Sequence, residues 1–331
     1  MTTRLADPPA TSAPGAPRAR SAASLLTEDL LTKATAPVGL LVICLVFSIL
    51  SPRFLTADNI GGMLADASLP ILLALGATFV VALAGIDLSL AATVALGSVA
   101  FGIGYERGLP LLVCCLLSVA TGLVVGLFNG AVVGWVRIPD FIVTLGTMSL
   151  VMGTALVVSG GTPIEVNNSF FTTISTESVG IFRYNLLIAL AVAAGAHVLL
   201  NHTRFGTHLL ATGGNTEAAR AMGIRVGRVK LAGYALCGLL AGSMSVLLIA
   251  YVGSTQPAAN TDYLLKAIAA VVLGGVSLFG GRATIWGPVV GAILLTVLQD
   301  GLILLGVSAF YEPIVVGAVV IVAASLMRSR R

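Results

Sequence analysis

Charged side chains are scarce in this sequence. Asp, Glu, Lys and Arg make up 10% of its 331 residues, whereas hydrophobic residues make up 57%. A soluble domain carries about a quarter charged residues, because it must cover a surface that faces water. The composition therefore excludes an ordinary soluble protein and predicts an integral membrane protein.

The sequence also lacks the motifs of nucleotide binding and covalent catalysis. None of its three lysines, Lys33, Lys230 and Lys266, follows a glycine, so it has no phosphate-binding loop of the type G-x-x-x-x-G-K-[ST]. It has no H-E-x-x-H pair and no nucleophile elbow. Its four cysteines lie in apolar runs without metal-ligand spacing, which favours a packing role. We expect no catalytic residue, metal site, cofactor or nucleic-acid partner.

Long apolar runs are what the sequence does contain. They lack the strict alternation of membrane β-strands, so they predict helices, each of which needs about 20 apolar residues to cross a bilayer. We expect an all-α, polytopic helix bundle with about ten transmembrane helices. The predicted spans are residues 36–50, 69–84, 88–104, 109–130, 139–159, 184–200, 231–251, 264–280, 284–306 and 309–327.

Basic residues indicate the orientation of these spans. If the N-terminus lies inside, the outer segments hold only Arg53, Arg107, Arg183 and Lys266 of the 18 Lys and Arg residues. This bias follows the positive-inside rule and predicts that both termini are cytoplasmic. The predicted organisation is a disordered cytoplasmic tail at 1–34, a transmembrane domain at 35–328 with a cytoplasmic loop at 201–230, and a basic cytoplasmic end at 329–331.

The predicted loop 201–230 contains an unusually polar stretch, GGNTEAARAMGIRVGRVK. Asn215 is a favourable N-cap, Glu217 lies in the first turn, and Gly223 is a natural helix stop. The pattern predicts a helix of about two turns, which is too short to be stable alone. It must either pack against its own loop or enter a groove on a partner, and the spacing does not choose between these alternatives.

Several stretches resemble, in order, the permeases of ribose-type ABC importers. They are AGIDLSLAATVALGSV at 84–99, GLFNGAVVGWVRIPDFIVTLGTMSLVMGTALVVSGG at 126–161, GGNTEAARAMGI at 213–224 and AVVLGGVSLFGGRATIWGPVVGAIL at 270–294. The resemblance extends from about residue 37 to the end. It implies a permease subunit of the bacterial inner membrane that imports a monosaccharide, a pentose or hexose, by alternating access.

The resemblance also implies partners and a role for the polar stretch. ABC ATPase subunits would bind ATP and Mg, a periplasmic or lipid-anchored solute-binding protein would deliver the sugar, and a second permease copy, identical or related, would complete the path within membrane lipid. The short helix would rest in a groove of the ATPase. The implied coupling residues are Gly214, Asn215, Glu217, Ala218, Ala219, Arg220 and Gly223.

Polar residues within the apolar runs are candidates for the translocation path. Two short runs, 69–84 and 264–281, end in glycine-containing turns and predict broken helices, either re-entrant or spanning. In the first turn, Asp87 and Ser89 are favoured as an N-cap over substrate contact, and Leu90-Ala91 stands where the family usually has glycine. The other candidates are Gln299, Asp300, Asn129 and Thr144.

These candidates have alternative interpretations. Gln299 and Asp300 lie within a predicted span, where an ionisable group is costly and points to function, but an interfacial position near a helix break is equally compatible. Asn129 and Thr144 are better explained by hydrogen bonds between helices. An ion-coupled secondary transporter of a small polar solute is the alternative function, although the spans hold few carboxylates to couple an ion.

Overall fold

The computed structural model describes residues 22–259 and 261–328, and its helices follow the apolar runs. The helices are α1 Ala22–Leu50, α2 Ala57–Asp66, α3 Ser68–Ala82, α4 Leu90–Glu106, α5 Leu111–Ala131, α6 Asp140–Ser159, α7 Ser169–Thr176, α8 Tyr184–His202, α9 Arg204–Gly214, α10 Thr216–Ala221, α11 Val226–Val252, α12 Thr261–Leu273, α13 Trp286–Leu304 and α14 Glu312–Arg328. The remaining elements are a π-helical turn at Val132–Val136, a 3-10 turn at Ala309–Tyr311, and the strands β1 Ser178–Val179 and β2 Phe182–Arg183.

The structure confirms an all-α, polytopic membrane protein. Within the described residues, six helical segments are long and apolar enough to cross a bilayer: Ala57–Ala82, Leu111–Val136, Asp140–Ser159, Tyr184–His202, Val226–Val252 and Trp286–Leu304. Each of the other predicted spans contains a shorter or less apolar helix. The count of ten spans and the cytoplasmic position of both termini stay predictions.

The structure gives new boundaries for three of the predicted segments. Helix α1 begins at Ala22, so residues 22–34 of the predicted disordered tail are helical, while 1–21 and the basic end 329–331 lie outside the described residues. The short run at 69–84 is lengthened because α2 leads directly into α3 to form one segment of 26 residues. The run at 264–281 does contain a break, since α12 ends at Leu273 and a glycine-containing turn follows.

The centre of the bundle is formed by α3 and by α11, which packs along both α3 and α5. Every residue of α3 is buried. The α5–α11 contact depends on small residues, because a methyl group on Gly122 or Gly238 would overlap the carbonyl oxygen of the other. Such close backbone approach lets membrane helices associate through packing alone.

The segment between α6 and α8 contains regular secondary structure. It contains α7 and the antiparallel hairpin of β1 and β2. Its first part pairs with the segment after α11, where the Val166 amide donates to the Gly253 carbonyl over 2.8 Å and the Thr255 amide donates to the Ile164 carbonyl over 2.9 Å. The end of α11 is therefore tied to this loop.

Candidate coupling and transport sites

The polar stretch folds into a helix that is capped by its own sequence. The Asn215 side-chain oxygen accepts hydrogen bonds from the amides of Glu217 and Ala218, at 3.0 and 2.9 Å. At the other end, Gly223 has φ +81°, and the amides of Gly223 and Ile224 donate to the carbonyls of Arg220 and Ala219. These bonds are those of a Schellman motif. The predicted cap and stop are both confirmed.

The implied coupling residues of α10 do not all lie on its exposed face. Glu217, Ala218 and Arg220 are exposed, whereas Ala219 is buried against the rest of the chain. The two alanines therefore do not form a common surface for a partner, because neighbouring positions on a helix point about 100° apart. Gly214 is exposed at the end of α9, and a methyl group there would lie 3.6 Å from the Gly281 Cα, an ordinary van der Waals distance.

Helix α9, which the sequence interpretation missed, holds α10 in place. Thr203 caps α9 by accepting the Gly206 amide, and the buried residues Leu209, Thr212 and Gly213 lie on one face. This helical spacing of Leu209, Thr212 and Gly213 was a readable signal for a helix. The two glycines that open the polar stretch belong to the last turn of α9 and do not form a free loop before α10.

Gly213 connects this segment to both glycine-containing turns. A methyl group on Gly213 would overlap the carbonyl oxygen of Ala82, the last residue of α3. The same Ala82 carbonyl accepts a hydrogen bond of 3.0 Å from the amide of Gly281, in the turn after α12. Backbone from three distant parts of the sequence thus meets at one point, with no side chain between.

The turn between α3 and α4 contains a buried polar group that we term the turn network: Asp87, Ser89 and Asn129. Asp87 Oδ1 accepts from the Ser89 amide at 2.8 Å and from the Ser89 hydroxyl at 2.6 Å. The Asn129 amide nitrogen donates to the Ser89 hydroxyl at 2.9 Å. The three residues are at most 6% exposed. The structure therefore brings together three of the predicted path residues and buries all of them.

The structure of this turn corrects the predicted helix cap. Ser89 precedes Leu90 as expected, but its backbone is helical and its hydroxyl bonds Asp87, so no side chain caps α4. Ala84 has φ +59°, an uncommon conformation for a residue with a side chain. Asp140, which the sequence interpretation did not select, accepts the Ile86 amide at 2.5 Å, and Thr144 donates to the Ile86 carbonyl at 3.2 Å.

Gln299 and Asp300 belong to a second group, which we term the outer network: Asn59, Lys266, Gln299, Asp300 and Glu312. Lys266 Nζ lies 2.5 Å from a carboxylate oxygen of Glu312 and donates to the Gln299 side-chain oxygen at 2.9 Å. Asn59 donates to an Asp300 carboxylate oxygen at 2.8 Å. The network joins α2, α12, α13 and α14 near the end of α13 that is farther from the turn of Gly281.

Exposure separates the outer network from the turn network. The side chains of Lys266 and Glu312 are 14% and 15% exposed, and Gln299 and Asp300 are partly exposed. From the sequence, Lys266 counted only as an outer basic residue and Glu312 only among the few carboxylates that could couple an ion. Their separation along the chain left no local signal for the ion pair. The predicted path residues therefore form two groups, and the structure does not join them.

Comparisons with known proteins assign a family. A family model described as branched-chain amino acid transport system / permease component matches residues 59–324. The chain is 38% identical over 318 residues to the ribose import permease of Escherichia coli strain K12, covering 92% of this chain and 96% of that protein. It is 38% identical over 296 residues to the ribose import permease of Bacillus subtilis strain 168, covering 88% of this chain and 92% of that protein.

A further relative is named for a different substrate. The chain is 33% identical over 290 residues to the autoinducer 2 import system permease of Yersinia pseudotuberculosis serotype O:3 strain YPIII, covering 87% of this chain and 82% of that protein. No solved structure matches the chain. With its apolar helical segments, the chain is a multi-pass protein of the bacterial inner membrane. It belongs to the family of branched-chain amino acid transport system permease components, together with the import permeases for ribose and autoinducer 2.

Proposed function

We propose that this chain is the permease subunit of an ATP-driven importer for a monosaccharide, a pentose or a hexose. Its relatives include ribose import permeases that it matches over most of both chains. The chain itself supplies a path and does no covalent chemistry. ATP and Mg bind to separate ATPase subunits, and a solute-binding protein delivers the sugar from the outer side to a path formed with a second permease.

The exposed face of α10 is the proposed contact with the ATPase. Glu217 and Arg220 project from a helix that is capped at both ends by its own chain, so the helix needs no partner to form. A preformed helix loses less conformational entropy on docking than a segment that folds on binding. Glu217 and Arg220 are proposed to make polar contacts in the ATPase groove.

The backbone contact of Gly213 with Ala82, next to Gly281, is the observation that carries the proposal. A displacement of α9 and α10 acts directly on the end of α3 and on the turn after α12, because no flexible side chain lies between them. Packed backbones transmit displacement because protein interiors are close-packed and resist compression. Movements of the ATPase would thus be transmitted both to the end of α3 and to the turn after α12.

Gln299 and Asp300 are the proposed sugar contacts at the outer end of the path. They are partly exposed and carry the amide and carboxylate oxygens that accept hydrogen bonds from hydroxyl groups. The turn network is closed in this structure, so Asp87, Ser89 and Asn129 would meet substrate only if the helices separate. Thr144 is also buried, against Ile86.

The outer side of the protein is proposed to receive the solute-binding protein. With the cytoplasmic assignment of α9 and α10, the hairpin of β1 and β2 and helix α7 lie on the opposite side. The hairpin exposes Val179 and Phe182, and α7 exposes Phe170. Apolar side chains on an ordered surface are suitable for contact with a folded protein.

Substitution of Glu217 tests the contact with the ATPase. We expect Glu217→Lys to reduce the amount of a phosphate-loop ATPase that co-purifies with the tagged chain from native membranes, because the exposed face of α10 changes charge. Glu106→Lys is the matched control, since Glu106 is an exposed acidic residue at the end of α4. Absence of any ATPase with the unsubstituted chain, in membranes that still take up the sugar, would contradict the proposal and favour an ion gradient as the energy source.

Substitution of Gly213 tests whether movement of α9 and α10 reaches α3, separately from whether the ATPase binds. We expect Gly213→Ala to retain the ATPase but to lose most sugar uptake, because the added methyl group overlaps the Ala82 carbonyl and displaces α9 from α3. Gly214→Ala is the control, since the added methyl group would make only an ordinary van der Waals contact, 3.6 Å from the Gly281 Cα. Uptake into proteoliposomes and ATP hydrolysis are measured together. Equal uptake by the two variants would rule out transmission through this contact.

A further inference from the structure

A hollow lined by four arginines lies beside α10. Arg137 follows the π-helical turn, Arg220 lies on α10, and Arg225 and Arg228 lie at the start of α11. Together with Trp135 they border a space of about 310 Å³. No carboxylate lines this hollow, and none of the four guanidinium groups forms an ion pair within the described residues. Four concentrated positive charges without a counter-charge attract an anion.

The position of the hollow restricts the kind of anion. It lies where the apolar segment Leu111–Val136 ends and the apolar segment Val226–Val252 begins. The ends of membrane-spanning helices lie at the level of the lipid headgroups. Trp135 is 59% exposed, and tryptophan is enriched at this level of membrane proteins. Its indole packs over Gly227, so a side chain at Gly227 would collide with the ring. The aromatic edge of the hollow is therefore held by backbone contact.

The surroundings of the hollow distinguish a lipid from a soluble acidic partner. Beside Arg137, the side chains of Val136, Ile138 and Phe141 are exposed, and α5 and α6 continue this apolar surface along the bundle. A soluble acidic ligand would cover the guanidinium groups and leave the apolar side chains in water. A phospholipid covers both, since its phosphate meets the arginines and its acyl chains lie along the apolar surface.

We propose that this arginine hollow binds the phosphate of an anionic phospholipid, with the acyl chains against Trp135 and the exposed faces of α5 and α6. Guanidinium groups suit this task because their planar donors bind phosphate oxygens in pairs. A lipid held here by Arg137, Arg225 and Arg228 touches the start of α11 and lies beside α10. The lipid therefore stabilises the position of α10 relative to the membrane surface.

Fluorescence of Trp135 tests the proposal directly. The chain has two tryptophans, so Trp286→Phe leaves Trp135 as the single reporter. The purified full chain in detergent is titrated with phosphatidylglycerol that carries brominated acyl chains, which quench a tryptophan in contact with them. Phosphatidylcholine with the same chains is the comparison. We expect quenching at a lower mole fraction of the anionic lipid, and a preference that weakens as salt is raised.

Substitution of the arginines tests the charge requirement. We expect Arg225→Gln with Arg228→Gln to weaken quenching by the anionic lipid on the order of tenfold to thirtyfold and to leave quenching by phosphatidylcholine unchanged. Arg225→Lys with Arg228→Lys retains the charges and keeps most of the preference. Arg53→Gln with Arg107→Gln is the control, since both residues are exposed in other loops.

Three results would overturn the proposal. The first is equal quenching by the two lipids in the unsubstituted protein. The second is full displacement of the anionic lipid by millimolar glycerol phosphate or inorganic phosphate, which would make the hollow a site for a soluble anion. The third is loss of the ATPase subunit from the glutamine variant while its lipid quenching stays normal, which would make the arginines a protein contact.

Discussion

The turn network and the outer network place carboxylates inside one helical bundle in two different ways. Asp87 bonds Ser89, two residues away, and is buried without a basic partner among the residues that the structure describes. The outer network joins four helices and pairs Lys266 with Glu312 at a partly exposed position. A local carboxylate bond of this kind organises a turn. An ion pair between helices makes their relative position depend on two charges.

The energetic consequences of the two arrangements also differ. Removal of one partner from a nearly buried ion pair leaves a charge without compensation, and this costs more than loss of a neutral hydrogen bond. Loss of a turn acceptor instead leaves one backbone amide and one hydroxyl unsatisfied. Substitutions that leave one charge of the Lys266–Glu312 pair without its partner are therefore expected to destabilise more than substitutions at the turn.

The largest effect is expected from breaking the ion pair on one side. Glu312→Leu leaves the Lys266 ammonium group without a carboxylate and should lower the free energy of unfolding by about 3 kcal/mol. The double variant Lys266→Met, Glu312→Leu should recover most of this loss, because neither charge remains. Denaturant unfolding in detergent measures both. Equal losses in the single and double variants would show that packing, rather than charge, holds α12 to α14.

A smaller loss is expected at the turn. Asp87→Ala removes the acceptor of the Ser89 amide and hydroxyl and should cost about 1–3 kcal/mol of unfolding free energy. Asp87→Asn keeps a side-chain oxygen at the same place, so it should retain most of the stability and the uptake activity. The same denaturant assay applies. A loss as large in Asp87→Asn as in Asp87→Ala would mean that the negative charge itself is required at the turn.

The smallest change in stability is expected at Asp300, where the effect should be on transport. Asp300→Asn keeps an oxygen that accepts from Asn59, so unfolding should change by only about 0.5 kcal/mol. Sugar uptake should nevertheless fall several-fold, because a charged acceptor for hydroxyl groups is lost. Sugar uptake by the Asp300→Asn variant is compared with uptake by the Asp87→Asn variant, which should retain most of its activity. Normal uptake in Asp300→Asn would remove Asp300 from the path and leave it an interfacial residue.

Features with local causes were predictable from the sequence. Asn215 and Gly223 delimit α10 as expected, because a cap and a helix stop depend on a few neighbouring residues. Helix α9 was missed although Leu209, Thr212 and Gly213 have helical spacing, because a length criterion for membrane spans passes over a helix of 11 residues. The sequence therefore contained the signal for α9, and the length criterion excluded it.

Contacts between distant residues were not predictable in this way. Nothing in the neighbourhood of Lys266 specifies Glu312 as its partner, and nothing near Gly213 specifies the Ala82 carbonyl. Such contacts form when distant helices pack against each other, and a single sequence does not show which helices are neighbours.

The sequence by itself determined that the chain is helical and lies in a membrane, since apolar length and scarce charge leave few other structures possible. It also determined the caps of the short helix beside the membrane. Only the tertiary structure decided which apolar helices face the interior. In the most apolar 18 residues of each segment, 89% of the residues are buried in Ala57–Ala82 but only 28% in Asp140–Ser159. Both segments are nevertheless apolar enough to span a bilayer. In a membrane, lipid and protein interior are similarly apolar, so hydropathy cannot separate them, and close packing of the helices makes the choice.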